Sequence, residues 1–257
     1  MILRRVIKHF REQEWTAIAL DFLIVVVGVF VGLQVSNWND DQKENALSVD
    51  YLQRLHDDMT LSIDATTVTE KFILDNIHNV TLVLDSLETC KLAEENRDAF
   101  ANGLYFASVH IPATFADGTL LELQSSGRLG LLKNTQIRDL LIEADREIKY
   151  QTRTWPAVRM RGANQTAYMD QVIIFRQNEQ RSGFALSGWG ELDIDFEELC
   201  QDRKFRAAFA VHERLGYLNL DWLNRNLENF REVKAALEAE LVITAETTGP
   251  DAQEQTP

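Results

Sequence analysis

The sequence predicts an all-α protein: an N-terminal transmembrane helix followed by an extracytoplasmic antiparallel helical bundle with a long first helix. Three observations carry the prediction. One apolar run occupies residues 16–38. Beyond it, apolar residues recur every three or four positions through most of the chain, the period of helices with one buried face. Only 12 Gly and 4 Pro occur among 257 residues, too few for a turn-rich β architecture.

The apolar run reads TAIALDFLIVVVGVFVGLQVSNW, with no polar side chain between Phe22 and Leu33. Only Asp21 and Gln34 interrupt the 19 residues from Ala17 to Val35, and about 20 mostly apolar residues cross a bilayer core. Trp15 and Trp38 bracket the run, about 35 Å apart along a helix. They are the expected interface anchors, since indoles concentrate at the membrane–water boundary. A cleaved signal would need a small-residue cleavage site, and Leu33-Gln34-Val35-Ser36-Asn37-Trp38 offers none. Arg4-Arg5 lies too far upstream for a twin-arginine signal, so an uncleaved signal anchor is expected.

Basic residues orient the anchor. Arg4, Arg5, Lys8 and Arg11 precede it, whereas Asn39 to Asp58 holds only Lys43 and Arg54 beside six acids. Residues 1–15 should therefore be cytoplasmic and residues 40–243 outside, leaving 244–257 as a disordered tail. The chain carries a net charge of −14, with about −15 beyond residue 39. Such a surface attracts neither nucleic acid nor anionic headgroups.

Within the span, Asp21, Gly28, Gly32 and Ser36 fall on one side of the helix. A G-x-x-x-G lets two backbones approach in lipid, and an intramembrane carboxylate wants a partner. A second copy or a partner membrane protein is the expected neighbour.

The exit Gln34-Val35-Ser36-Asn37-Trp38-Asn39, together with the basic start and the acid entering a Val/Ile/Gly-rich span, resembles a bacterial family of single-pass membrane proteins. That family is known only as a domain of unknown function. The block from Thr114 through Glu122, Ser125-Ser126-Gly127 and Asn134 is similar to its second recognisable region. The resemblance implies an inner-membrane anchor and a periplasmic helical domain, and it brings no catalytic residues.

Element by element, Asp40 to Leu92 lacks Gly and Pro. It carries the stripes Leu52, Leu55, Met59, Ile63 and Ile73, Ile77, Val80, Leu84, Leu87, with a weak point predicted at Ala65–Thr69. Further helices are expected over Glu94–Val109, ended by Pro112, and from Thr114 to Ser125, where Gly127 supplies a left-handed cap. Asn134 should cap a long helix with stripe Ile137, Leu141, Ala144, Ile148 and Trp155. Pro156 should kink or divide it, Gly162 should soften it, and helical pattern resumes to Arg181. A loop through Gly183, Gly188 and Gly190 then precedes two helices, Glu197–Gly216 and Leu220–Val242. Strands are not expected.

Nucleotide-binding, hydrolase and zinc-protease motifs are absent, and no cofactor or metal is expected. The five histidines are scattered singly. His212-Glu213 starts like a zincin motif, but Gly216 stands where the second His would be. His56-Asp57-Asp58 and the acids at 193, 195, 197 and 198 read as solvated helix surface. Cys90 and Cys200 could pair outside the cytoplasm or remain buried thiols. Arg146, Lys149, Arg153, Arg159 and Arg161 cluster around Trp155. Arg153, Arg159 and Arg161 are candidates for an anion or an acidic partner, against surface pairing such as Asp145–Lys149. The functional expectation is a non-enzymatic interaction or accessory subunit. A sensor-like ligand-binding bundle is the alternative.

Overall fold

The computed structural model describes residues 15–176 and 188–248, and of these the backbone alone at 15–19, 21, 191, 247 and 248. The basic segment before Trp15, the region around Arg181 and Gly183, and the tail beyond Thr248 lie outside the described residues. The chain divides into two compact units at Tyr51 and Leu52.

The first unit is helical from Trp15 onward, the beginning of a helix that continues to Thr89 (α1). Every described side chain from Leu20 to Val35 is exposed. Among the described residues, α1 is the one helix long and apolar enough to cross a membrane.

In the second unit the rest of α1 is followed by a 3₁₀ turn at Glu94–Asn96 and by α2 (Arg97–Phe106) and α3 (Gly118–Ser125). After a second 3₁₀ turn at Leu129–Leu131 comes α4 (Thr135–Val172). A short antiparallel pair, β1 (Ile174–Phe175) with β2 (Leu192–Asp193), then leads to α5 (Phe196–Gln201) and α6 (Arg203–Thr248).

Several elements differ from the sequence reading. No break divides α1 at Ala65–Thr69, because the polar residues in and before that stretch have a task. Ser62 and Thr66 are fully buried, on the face that Leu55, Met59, Ile73, Ile77 and Val80 continue at helical spacing. There they bond the extended connector between α2 and α3. Ala116 N–H donates to Ser62 Oγ (2.9 Å), Thr66 Oγ1 donates to the Thr114 carbonyl (3.2 Å), and Thr119 N–H donates to Asp58 Oδ2 (3.1 Å). This tethered backbone is why α3 begins at Gly118 rather than near Thr114. The helix predicted over Glu94–Val109 is shorter, with a 3₁₀ entry and an end at Phe106.

The connector is pinned from the other side as well. Asn219 of α6 accepts from Ile111 N–H (3.0 Å) and donates to the Ile111 carbonyl (2.9 Å). On the α1 side, Asn76 also donates to the Phe106 carbonyl (2.9 Å). Phe115 stacks on Phe230 with ring centres 5.3 Å apart.

The predicted division at Gly216 is also absent, since α6 is one helix. A Cβ on Gly216 would lie 3.1 Å from Ile77 Cγ1, so this glycine marks close packing of α1 on α6 and not a turn. Likewise α4 passes through Pro156 undivided. It ends at Val172 instead of running to Arg181, where backbone pairing of β1 with β2 takes over. Thr244–Thr248, assigned to the tail from sequence, continue α6. The Asn134 cap forms as read, its side chain accepting from Gln136 and Ile137 N–H. Along α4 and α6, Asn134 bonds Glu240, Gln151 bonds Asn226, and Tyr168 bonds Asp202. Partner numbers fall along one helix as they rise along the other.

Two helices end in the same way. Arg128 N–H reaches back to the Leu123 carbonyl around Gly127, whose φ is +69°. Lys91 N–H reaches back to the Ser86 carbonyl around Cys90, whose φ is +53°. This six-to-one closure needs a left-handed residue and usually takes Gly. At position 90 a cysteine takes it, and its sulfur is bonded to Cys200 of α5 with Cα atoms 5.5 Å apart.

Two outcomes are expected in urea denaturation. Asn219→Ala strands both Ile111 backbone groups and should cost about 2–3 kcal/mol; a loss within about 0.5 kcal/mol would mean that water replaces the clamp. Reducing the Cys90–Cys200 bond should cost about 4–5 kcal/mol in the chain-entropy account. In a Cys200→Ser background, Cys90→Gly should exceed Cys90→Ser by about 1 kcal/mol, because only glycine adopts this backbone without strain. Equal stabilities would refute that ranking.

Candidate functional site

The connector clamp fixes His110, one residue before Ile111, over the join of α4 and α6. His212 comes from α6, where Ala208, His212, Leu215 and Asn219 step by four, three and four along the inward face. Opposite stands Gly162 of α4. A Cβ there would lie 3.0 Å from Leu215 Cδ1 and 3.3 Å from His212 Cε1, so the missing side chain is what seats the imidazole. The soft point read at Gly162 is therefore a packing position.

Above this floor lies a cleft of about 550 Å³. Pro156, Met160, Ala163, Ala167 and Leu215 make its apolar walls, and Arg159, Thr166, Asp170 and the two histidines supply its polar groups. The imidazoles lie within 28° of parallel at 6.3 Å between centres. His110 also meets the edge of Trp155 at 6.1 Å. His212 is 2 % exposed, and its Nδ1 has no hydrogen-bond partner; neither has Nε2 of His110.

Thr166 Oγ1 lies within hydrogen-bond distance of the Gly162 carbonyl (3.2 Å) and of His212 Nε2 (3.3 Å), while His212 Nδ1 has no partner. His110 Nδ1 donates to the Ser108 carbonyl (3.0 Å), leaving Nε2 bare in the neutral ring. Both rings favour neutrality. Burial, and then the neighbouring His110, lowers the pKa of His212 to about 4. Burial lowers that of His110 too, with Arg159 adding to the fall and the Ser108 and His212 carbonyls opposing it.

The residues singled out from sequence separate clearly. Arg159 lines the cleft, while Arg153 turns back to the Lys149 carbonyl (3.1 Å) and Arg161 is exposed outside it. Lys149 pairs with Asp145 at 2.7 Å, and Arg146 pairs with Glu143, as surface pairing predicts. Gly28 and Gly32 have open space where a Cβ would be, and Ser36 and Trp38 are exposed. The side chains of Trp15 and Asp21 lie outside the description.

His56 contacts Asp57 and Glu238, and Asp195 caps α5 by accepting from Glu198 N–H. Among the described residues no group of three or more His, Cys, Asp or Glu could hold a metal. A second hollow of about 600 Å³ beside Tyr168 and Asp202 is built on a structural bond. Asp202 there accepts from the Tyr168 hydroxyl at 2.5 Å and caps the start of α6 through Phe205 N–H.

The sequence reading missed the His110–His212 pair. The two lie 102 positions apart, and their only local signal was His212 on an apolar stripe.

No protein-family model, no curated protein and no solved structure matches this chain.

The buried neutral imidazole implies a pH dependence. The folded pKa of His212 lies below its ordinary value of 6.5, so its stabilising contribution is complete above pH 6.5 and is lost as pH falls towards 4. Between pH 7.5 and 5 the loss should be about 2 kcal/mol. Urea midpoints for wild type and His212→Leu should show the variant less acid-sensitive by that amount. Parallel pH profiles would contradict a neutral His212.

Proposed function

We propose that this chain is a single-pass protein of the bacterial inner membrane, related to the uncharacterised family its anchor resembles. Its N-terminus is cytoplasmic, and its periplasmic domain is an antiparallel helical bundle. It acts without chemistry of its own, as an interaction or accessory subunit. The observation that carries this reading is the helix from Phe22 to Leu33, apolar and exposed on all sides, with Gly28 and Gly32 uncovered on one face. Such an apolar sleeve is stable in lipid, and small residues on it let a second helix approach closely. The Cys90–Cys200 bond supports an oxidising compartment for the second unit.

A second reading, a sensor-like ligand-binding bundle that signals through a partner, is favoured by the cleft at His110 and His212. In the first reading the periplasmic helical domain and the transmembrane face meet the partner; in the second a partner helix relays the signal across the membrane.

The test is gentle detergent extraction of the tagged full-length chain followed by intact-complex mass spectrometry. A stoichiometric partner or second copy should appear and should be lost on Gly28→Leu or Asp21→Leu. A monomer in wild type would reject the accessory-subunit reading. A cysteine introduced near residue 250 should react with a membrane-impermeant maleimide before lysis; reaction only after lysis would reverse the topology.

A further inference from the structure

We infer that the cleft between α4, α6 and the connector is a binding site for a small organic carboxylate with an apolar body. The inference is independent of the anchor and of any protein partner. Three features of the cleft converge on it.

The first is size and lining. About 550 Å³ is typical of a small-molecule pocket, and such pockets pair apolar walls with a few oriented polar groups. Pro156, Met160, Ala163 and Leu215 form those walls, and the Met160 side chain stands 71 % exposed at the rim. A residue this apolar gains from being covered.

The second is charge. Arg159 faces the cleft beside His110 and, among the described residues, makes no ion pair. Most neighbouring cations on α4 are occupied at the surface by Glu143, Asp145 or a backbone carbonyl. A guanidinium held over apolar walls in a chain of net charge −14 matches a planar carboxylate through two parallel N–H bonds. Asp170, the one acid of the lining, sits three turns further along α4, roughly 16 Å away by helical rise. The cleft is therefore polar in one sense, with its anion end at Arg159.

The third is the pair of unpartnered ring nitrogens. A proton on His110 Nε2 would turn that buried acceptor into a donor. Nδ1–H would keep the Ser108 carbonyl, and the added positive charge, which the His212 carbonyl also favours, would attract a carboxylate beside Arg159. The charged and titratable groups that line the cleft are Arg159 and, at its far end, Asp170 from α4, His110 from the connector and His212 from α6. An anion at Arg159 offsets the repulsion that guanidinium exerts on protonated His110. Carboxylate and proton thus enter together, and binding tightens as pH falls.

The experiment uses the full-length chain in non-ionic detergent with three probes followed by fluorine NMR: 4-fluorophenylacetate, 4-fluorobenzoate and the neutral isostere 4-fluorobenzyl alcohol. At least one carboxylate should bind saturably at 1:1, with Kd below about 1 mM at pH 6, and the alcohol at least tenfold more weakly. Arg159→Gln should weaken carboxylate binding at least tenfold, whereas Arg161→Gln, exposed and outside the cleft, should leave it unchanged. His110→Gln should flatten the gain in affinity between pH 7.5 and pH 6. Circular dichroism of each variant verifies the fold, which the exposed position of Arg159 leaves intact. Neither carboxylate saturating up to about 10 mM, equal binding of the alcohol, or unchanged binding by Arg159→Gln would each overturn the inference.

Discussion

The structure of the second unit depends on how one extended stretch satisfies its backbone. Between Phe106 and Gly118 the chain lies along two long helices without helix or sheet partners of its own. Its amides and carbonyls there need side-chain acceptors and donors, because an unpaired backbone group kept from water costs about as much as a lost hydrogen bond. Asn76, Ser62, Thr66 and Asp58 of α1 supply one set and Asn219 of α6 the other. These contacts do more than saturate a loop. They fix the register of α1 against α6 at one level of the unit and hold His110 where α4 and α6 meet. Remove the side-chain bonds and the connector has no reason to stay, and the cleft loses one of its three sides.

That dependence explains which parts of the fold the sequence made legible. The apolar span, the helical period of α1, the Asn134 cap and the Gly127 cap each rest on local chemistry, and each stands where it was read. Readings that used a residue's average propensity failed where tertiary contacts overrode it. Ser62 and Thr66 are indifferent helix formers in isolation, yet here they are buried and bonded across 54 and 48 positions. Gly216 looks like a helix end until Ile77 of α1 is found against it. Pro156 was expected to kink or divide α4, and the helix continues through it undivided on an exposed face.

The candidate site was less legible for the same reason. The basic cluster on α4 was visible as composition, but composition could not say that Arg153 folds back on its own helix while Arg159 faces a cleft. The two histidines become a pair only through the clamp on Ile111 and the absent side chain of Gly162. Neither feature has a local signature. Cys90 and Cys200 were identifiable as potential partners, whereas the left-handed backbone at Cys90 is a property of the helix end. The disulfide secures α5 to a cap that glycine would ordinarily provide, so one cysteine carries a covalent and a conformational constraint at once.

The histidine pair and the connector are parts of one balance. A buried imidazole nitrogen without a partner costs about 1–3 kcal/mol, and two such atoms, His110 Nε2 and His212 Nδ1, belong to rings 6.3 Å apart at the floor of the cleft. A core selected for stability alone would place leucine or methionine at position 212, continuing the apolar stripe of α6 at no polar cost. The connector's clamps would still hold position 110 in place after that change, so the scaffold does not require the imidazole. What the imidazole adds is a neutral ring that titrates well below its ordinary value, set beneath a cleft edged by Arg159, whose guanidinium makes no ion pair among the described residues. Among the described residues, the imidazole nitrogens of His110 and His212 are the unpartnered buried atoms that line the cleft with apolar walls and Arg159, whereas those of Asn76, Asn102, Arg206 and Asn226 lie elsewhere.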